Sequence, residues 1–194
     1  MNIRQLFPPL LILTLIFLTA FSARAQTAGA PYMPTAPKKV LADIGAPADV
    51  QAIVSGGWGY AKTDVMIIGY PYKNGKEFFD VRNFEADLID MRNMEEFYTV
   101  PEDGKRFLPI KCLIIKQSGQ TGPKGQQFDI AEATVDLLPE QYWPELEKMS
   151  KSGADDKRIL SFFQGKLVTV SRTYWFDITE PFNSNKEVFS NPKK

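Results

Sequence analysis

Two long segments with strand-like patterns, joined by a short polar connection, constrain the fold most strongly. Phe107–Gln117 is apolar on both faces, whereas Gln127–Leu138 alternates between apolar and polar residues. Ser118–Gln126, rich in glycine and glutamine, separates the two segments. The apolar face of the second segment consists of Ala131, Ala133, Val135 and Leu137. Because consecutive strands with a short connection pair in opposite directions, we predict an antiparallel hairpin with an exposed loop.

Three further segments have the composition of strands. Val50–Val54 leads into the glycine-rich turn Gly56–Gly59, and Asp64–Tyr70 is apolar on both faces, which is typical of a strand inside a sheet. Lys166–Ile178 is a long final strand with one apolar face, made of Val168, Val170, Tyr174 and Phe176. Together with the hairpin, these segments predict a mainly antiparallel sheet.

Residues 78–98 are the ambiguous part of the chain, because their pattern fits either a strand or a helix. We favour strand-like backbone before Asn83 and a helix over roughly Phe84–Tyr98, since the strand alternation fails after Ile89. On a helix, apolar residues recur at spacings of three and four, namely Val81, Phe84, Leu88, Met91, Met94 and Tyr98.

Two shorter helices are predicted before the final strand. One covers Gln141–Ser150 with Pro144 in its first turn, where a missing backbone N–H has no consequence. The other begins after a capping Asp155 or Asp156 and ends at Gly165. Helices bunched between antiparallel strands indicate an α+β fold. We therefore predict a single α+β domain, with two or three short helices packed on one side of the sheet.

The first residues are typical of a secretory signal peptide. Arg4 precedes the uncharged apolar run Leu10–Phe21, and Ala23, Arg24 and Ala25 form a small-x-small cleavage site. Cleavage after Ala25 would place the mature chain in the periplasm or the extracellular space. An uncleaved membrane anchor is the alternative, because the charge-free stretch approaches the length that crosses a bilayer. No cysteine adjoins the cleavage site, so a lipoprotein anchor is not expected.

Composition divides the chain into four parts. Residues 1–25 are the predicted signal peptide, and residues 26–40 are a flexible linker rich in proline and alanine. Residues 41–180 have the size of one globular domain. Residues 181–194 form a polar C-terminal tail, expected to be frayed.

Cysteine and histidine usage excludes several kinds of site. Cys112 is the only cysteine, so the chain cannot form an internal disulfide, and its apolar neighbours predict a packed thiol. The chain has no histidine, which removes Ser-His-Asp triads and histidine-bound metals. We therefore predict no catalytic set, no metal site and no cofactor, and an enzyme is disfavoured.

Aromatic residues near the glycine-rich turn are the candidate ligand or partner surface. Trp58 and Tyr60 belong to the turn, and Tyr70 and Tyr72 follow the second predicted strand. Exposed, such rings would stack on a sugar or on a partner side chain. The alternative is that they pack in the core and in turns.

Carboxylates are the candidate catalytic groups that remain. Asp87 with Asp90, and Glu132 with Asp136, are the obvious pairs for glycoside hydrolysis, although a solvated face explains both. Glu95 falls in the apolar stripe of the predicted helix, so it is a candidate buried carboxylate, or a rim residue bonded to Arg92 or to a backbone amide.

Charge is evenly balanced over the chain, with 23 basic and 23 acidic residues, which argues against nucleic-acid binding. The segment Gly104–Phe128 nevertheless carries no acidic residue, while its five basic residues are Lys105, Arg106, Lys111, Lys116 and Lys124. They would steer an anionic ligand toward the hairpin, or protect an edge strand.

Three functions are compatible with these observations. The first is a soluble, exported, non-catalytic binding or interaction protein whose partner is a protein, a small molecule or a glycan, with no membrane span in the mature chain. The second is a carboxylate-based, glycan-directed hydrolase. The third is a structural or assembly component of the cell envelope.

Overall fold

A computed structural model describes residues 36–72, 77–99 and 105–190. The predicted signal peptide and most of the predicted linker lie outside these residues. The described helices are α1 (Pro37–Asp43), α2 (Ala48–Ala52), α3 (Val81–Asn93), α4 (Trp143–Lys151), α5 (Asp156–Phe163) and α6 (Thr179–Ser190). The strands are β1 (Val54–Gly56), β2 (Met66–Ile68), β3 (Phe107–Thr121), β4 (Gln127–Pro139) and β5 (Val168–Asp177). A π-helical segment, Met94–Thr99, continues α3, and 3-10 turns Glu140–Tyr142 and Gln164–Lys166 flank α4 and α5.

The five strands form one sheet in the order β1-β2-β5-β4-β3. Only the pairing of β2 with β5 is parallel, and the other three pairings are antiparallel. The predicted hairpin is confirmed: β3 and β4 pair from Phe107 opposite Pro139 to Thr121 opposite Gln127. The connection is shorter than predicted, because pairing continues into the expected loop. The register shifts twice, so that Ile110 and Ile115 are the extra residues of two bulges in β3.

The α+β class and the mainly antiparallel sheet are confirmed, but the expected helix number is too low. The described residues contain six α-helices instead of two or three. The predicted strand Val50–Val54 is also wrong, because its first three residues belong to α2. Only its last residue, Val54, lies in a strand, where it begins β1. Pro47 directly precedes α2, and Val50 of this short helix is 2% exposed. A single buried valine is compatible with a helical turn as well as with a strand, so it could not distinguish the two.

The helix assignment over residues 84–98 is correct, and α3 begins slightly earlier. Asp80 caps it, because its carboxylate accepts a hydrogen bond of 3.2 Å from the backbone N–H of Asn83. Pro144 lies in the first turn of α4, and Asp155 caps α5 by accepting from the N–H of Arg158 at 2.8 Å. Capping carboxylates thus mark the starts of α3 and α5, and a proline in the first turn marks the start of α4.

The main core lies between one face of the sheet and helices α1, α2 and α3. The predicted apolar face of β4 is buried, with Ala131 and Ala133 in this core, and on β5 Tyr174 and Phe176 have no exposed surface. The helices contribute Val40, Leu41, Val50, Phe84, Leu88 and Ile89. A second cluster, around Leu108, Leu138, Ile159 and Phe163, packs α4 and α5 against one end of the hairpin.

Both ends of the described domain extend beyond residues 41–180. Helix α1 begins at Pro37, inside the predicted linker, and α6 occupies most of the predicted tail. Asn185 of α6 binds the backbone of Phe79 twice, accepting from its N–H at 2.9 Å and donating to its carbonyl at 2.7 Å. Thr179–Ser190 is helical, whereas the sequence suggested a frayed tail after Pro181. Within the described residues, no helix has the length and apolar character needed to cross a bilayer.

Candidate functional site

An apolar hollow lies where the segment after β2 meets α2 and α3. Its volume is about 70 Å³. Pro71 and Tyr72 form one wall and Phe79 and Phe84 another, while Asp49, Val50 and Ile53 complete the lining. Two of the predicted surface residues, Tyr70 and Tyr72, are half-buried beside it. We call the depression formed by the seven lining residues the aromatic hollow.

The rings around the aromatic hollow meet edge to face. Tyr70 and Tyr72 have centroids 5.5 Å apart at an interplanar angle of 80°. Phe79 lies 6.4 Å from each of them, again nearly perpendicular. The Tyr70 hydroxyl donates to the backbone carbonyl of Glu77, and Asn185 holds the backbone of Phe79. The wall is therefore fixed by packing and by hydrogen bonds, but its rings do not form one flat platform.

The structure does not place Trp58 on this surface, which corrects the sequence prediction for that residue. Trp58 is 2% exposed and belongs to the main core. The turn reaches the core because Gly59 has φ +71° and a side chain there would lie 2.5 Å from the carbonyl oxygen of Trp175. Tyr60 is 38% exposed, but its ring stacks on the guanidinium of Arg92.

Arg92 is the centre of a buried polar network that the sequence did not indicate. Its side chain is 2% exposed and lies between the rings of Tyr60 and Tyr174, at 4.0 and 4.4 Å from their centroids. Its Nη1 donates to three backbone carbonyls, at 3.3, 3.3 and 3.0 Å, which belong to Trp58, Gly59 and Thr173. Its Nε lies 3.6 Å from Oε2 of Glu96. The network thus ties the glycine-rich turn, α3 and β5 together.

A second buried polar group lies two turns earlier on α3. Glu85 has no exposed surface. Asp129 lies on the face of β4 that packs against the core, and it is 5% exposed. Gln117 donates to Oε2 of Glu85 at 3.3 Å, while Oε1 is buried without a hydrogen-bond partner. Burial and then the negative charge of Asp129 raise the pKa of Glu85 well above its ordinary value. A protonated carboxyl is therefore favoured at this position.

The other candidate carboxylates do not converge on an open cleft. Glu95 is 3% exposed on the π-helical segment. Glu132 forms an ion pair with Lys116 at 2.8 Å, and Asp136 accepts from the hydroxyl of Thr169 at 2.6 Å. Among the described residues, no group of three or more acidic or cysteine side chains is arranged to hold a metal ion.

Cys112 is half-buried, as its apolar neighbours predicted, and it lines a groove between α3 and β3. Burial, followed by the negative charge of Asp90, raises the pKa of its thiol to about 11. Since the thiolate is the nucleophilic form, Cys112 is a poor nucleophile near neutral pH.

Sequence reasoning missed Glu85 and Asp129 and considered Arg92 only as a rim partner of Glu95, although Asp129 left a signal. Asp129 continues the alternation of Ala131 and Ala133 on β4, and therefore had to point at the core. Glu85 and Arg92 are seven residues apart and share one face of α3, beside the predicted stripe. Nothing in their local sequence identifies their partners.

Comparison with known proteins adds no relative from which a function could be transferred. No protein-family model matches the chain, and none of the characterised proteins or solved structures compared with it is significantly similar.

Proposed function

We propose that this chain is a non-catalytic binding or interaction protein, exported to the periplasm or the extracellular space, that captures a partner protein through the aromatic hollow. The observation that carries the proposal is a small apolar opening held by edge-to-face aromatic rings. Apolar depressions with rigid aromatic walls are the usual receptors for anchor side chains at protein interfaces.

The size of the aromatic hollow selects the kind of partner. Sites for small molecules have volumes of roughly 300–1,000 Å³. A volume of about 70 Å³ matches one inserted side chain far better than a whole ligand. The perpendicular rings of Tyr70 and Tyr72 also offer no common flat face for a sugar. A protein partner is therefore favoured over a small molecule or a glycan.

The rim of the aromatic hollow suggests the chemistry of the inserted group. Asp49 is exposed and lies at the start of α2, while the other lining residues are apolar or aromatic. An apolar anchor followed by a basic residue would fill the hollow and meet the Asp49 carboxylate. The third function considered above, an assembly component of the cell envelope, would use the same contact.

The hydrolase alternative has less support from the geometry. Glycoside hydrolysis needs two carboxyl groups about 5–9.5 Å apart with a substrate between them. Glu85 and Asp129 are both buried beneath α3, where a sugar has no access. Glu132 and Asp136 are each occupied by a cross-strand partner.

Photo-crosslinking in the native host tests the proposal. A photoreactive amino acid replaces Ala48, which is exposed beside Asp49 at the start of α2, and we expect a discrete protein adduct of the full chain. Tyr72→Ala should reduce the adduct about tenfold, because it removes one wall of the hollow. Phe162→Ala removes an aromatic residue that is 49% exposed on α5 and should leave the adduct unchanged.

Thermal unfolding of each variant establishes that the fold is intact. An adduct that persists in Tyr72→Ala would exclude the hollow as the contact, and the lack of any protein adduct would overturn the proposed function.

Export is tested separately by the mass of the protein recovered from its host. We expect a chain that begins at Gln26 and is found outside the cytoplasm. Ala25→Phe should prevent processing, because the signal peptidase site requires a small residue. A cytoplasmic chain that retains residues 1–25 would contradict the proposed location.

A further inference from the structure

A second open groove lies between α3 and the edge strand β3. Its volume is about 220 Å³, and it is lined by Ala86, Ile89 and Asp90 of α3 with Cys112 and Ile114 of β3. The helix runs antiparallel to the strand, since Glu85 is near Gln117 while Met94 and Tyr98 pack in the cluster that includes Ile110. The groove therefore follows the edge of the sheet.

Strand β3 offers its outer side for main-chain pairing. It is the last strand in the sheet and, among the described strands, pairs only with β4. An edge strand presents backbone N–H and C=O groups that can pair with an added strand. In strand addition, these main-chain bonds provide affinity, while pockets for alternate side chains provide specificity. Here the groove supplies such pockets along the same edge.

The two faces of β3 differ in chemistry. Cys112 and Ile114 pair with buried residues of β4 and line the groove. On the opposite face, Lys111, Leu113 and Lys116 are exposed, and Leu113 retains 52% of its surface. Because of the bulge at Ile115, the two lysines lie four ladder positions apart with Leu113 midway between them.

We propose that the β3 edge and the α3–β3 groove bind an extended acidic segment of a partner protein by strand addition. The segment has acidic residues at two positions four apart, which face Lys111 and Lys116. The residue midway between them is apolar and covers Leu113, and the two remaining residues are apolar and enter the groove. The inference rests on the proposed function and adds to it a second surface and the chemistry of its partner.

Charge decides between this partner and a second copy of the chain. In an antiparallel β3–β3 pairing centred near Leu113, Lys111 of each copy would face Lys116 of the other, and opposed like charges are destabilising. Residues 104–128 contain no acidic residue, and the acidic side chains near the two lysines come from β4, where Glu132 pairs with Lys116 and Asp136 lies opposite Lys111. Lys116 already contacts Glu132, but both groups of that pair are substantially exposed, so an acidic strand can compete for the lysine.

Fluorescence polarisation of a labelled peptide tests the inference. The probe is the fluorescein-labelled peptide Thr-Glu-Val-Ile-Val-Glu-Thr, which reads the same in both directions because strand polarity is not specified. The control peptide carries lysine in place of both glutamates. With purified full-length protein, we expect the acidic probe to bind and the control peptide to bind at least about tenfold more weakly.

Two substitutions assign the binding to this surface. Lys111→Glu should weaken the acidic probe about tenfold, while Lys124→Glu makes the same charge change in the hairpin turn and should leave binding unchanged. Ala86→Leu should also weaken binding, because leucine fills the groove without disfavouring the helix. Ala42→Leu, at an exposed position of α1, is its control.

The outcomes separate this inference from the proposed function. No binding of the acidic probe, equal binding of both peptides, or binding that survives Lys111→Glu and Ala86→Leu would overturn the groove assignment. A Tyr72-dependent adduct at Ala48 would still support the proposed function in that case. A concentration-dependent dimer that Lys111→Glu strengthens would identify a second copy as the occupant and would also overturn the acidic segment.

Discussion

Two buried charged side chains on the same helix have opposite surroundings. Arg92 and Glu85 are seven residues apart on α3, about 10 Å along the helix axis. Arg92 lies between two aromatic rings and donates to three carbonyl oxygens. Glu85 has Gln117 as its donor and a second carboxyl, Asp129, nearby. The helix therefore buries one group among carbonyl acceptors and aromatic rings, and the other where burial and a second carboxyl raise its pKa.

The difference shows two ways to bury an ionisable group. A guanidinium that meets backbone carbonyls, aromatic rings and a carboxylate exchanges much of its hydration for these contacts. A carboxyl near another carboxyl in the interior binds a proton instead. Removing the charge from each position should consequently have opposite effects on stability.

Arg92→Met is expected to have the largest effect. It removes the group that joins the glycine-rich turn to β5, and leaves Glu96 without one of its cations. Breaking a buried ionic contact on one side costs about 3–5 kcal/mol of unfolding free energy. Urea unfolding measures the change.

Arg172→Met is the matched control, because Arg172 also binds Glu96, at 2.6 Å, but its side chain is 30% exposed. We expect a loss of about 1 kcal/mol for that variant. Equal losses for the two arginines would show that the enclosure of Arg92 does not matter.

Glu85→Gln is expected to have the second largest effect, with the opposite sign. The folded-state pKa of Glu85 is raised above the ordinary value of 4.5, so the native state binds more protons than the unfolded state between these two values. In wild type, this contribution to stability is complete below the ordinary pKa and is lost as pH rises through the folded-state pKa. Glutamine cannot ionise, so the variant should be about 1–2 kcal/mol more stable than wild type at alkaline pH.

The pH profile of unfolding free energy distinguishes this effect from a general stabilisation. Wild type and Glu85→Gln should differ least in acid and diverge as pH rises. Glu132→Gln, which alters an exposed carboxylate, should leave the shape of the profile unchanged. A constant offset between wild type and Glu85→Gln at all pH values would contradict a titrating Glu85. The groups near Glu85 that also titrate or carry charge are Asp129, Arg82 and Asp80.

Sequence patterns predicted elements whose signals are local. The β3–β4 hairpin, the buried face of β4 and the Asp155 cap all leave patterns that can be recognised within single short segments of the chain. The buried network of α3 depends on distant ones, since Arg92 contacts Trp58 and Thr173. A helical stripe defined by apolar residues alone treats Arg92 as exposed. The buried face of α3 is therefore wider than the stripe predicts.

The candidate site was predicted in part for the same reason. The sequence named Tyr70 and Tyr72 because aromatic residues cluster after β2, but it did not indicate their packing partner Phe79. We expected Trp58 on the same surface as Tyr70 and Tyr72 because it is another aromatic residue near the glycine-rich turn. The backbone conformation at Gly59 instead directs the turn into the core. The groove at β3 could not be predicted without the order of the strands in the sheet, and hydrophobic periodicity does not reveal that order.

Lys151→Ala is expected to have the smallest effect, and it shows what an ion pair contributes without burial. Lys151 contacts Glu147 at 2.6 Å, closer than the 3.6 Å between Arg92 and Glu96, yet the side chains of Lys151 and Glu147 are 66% and 55% exposed. Water and salt screen such a pair, so its loss should cost only about 0.3–0.5 kcal/mol. Unfolding in 1 M sodium chloride should abolish that difference and leave most of the Arg92→Met loss in place, because the buried charge is screened much less. If salt reduced both losses equally, distance rather than burial would decide what these contacts contribute.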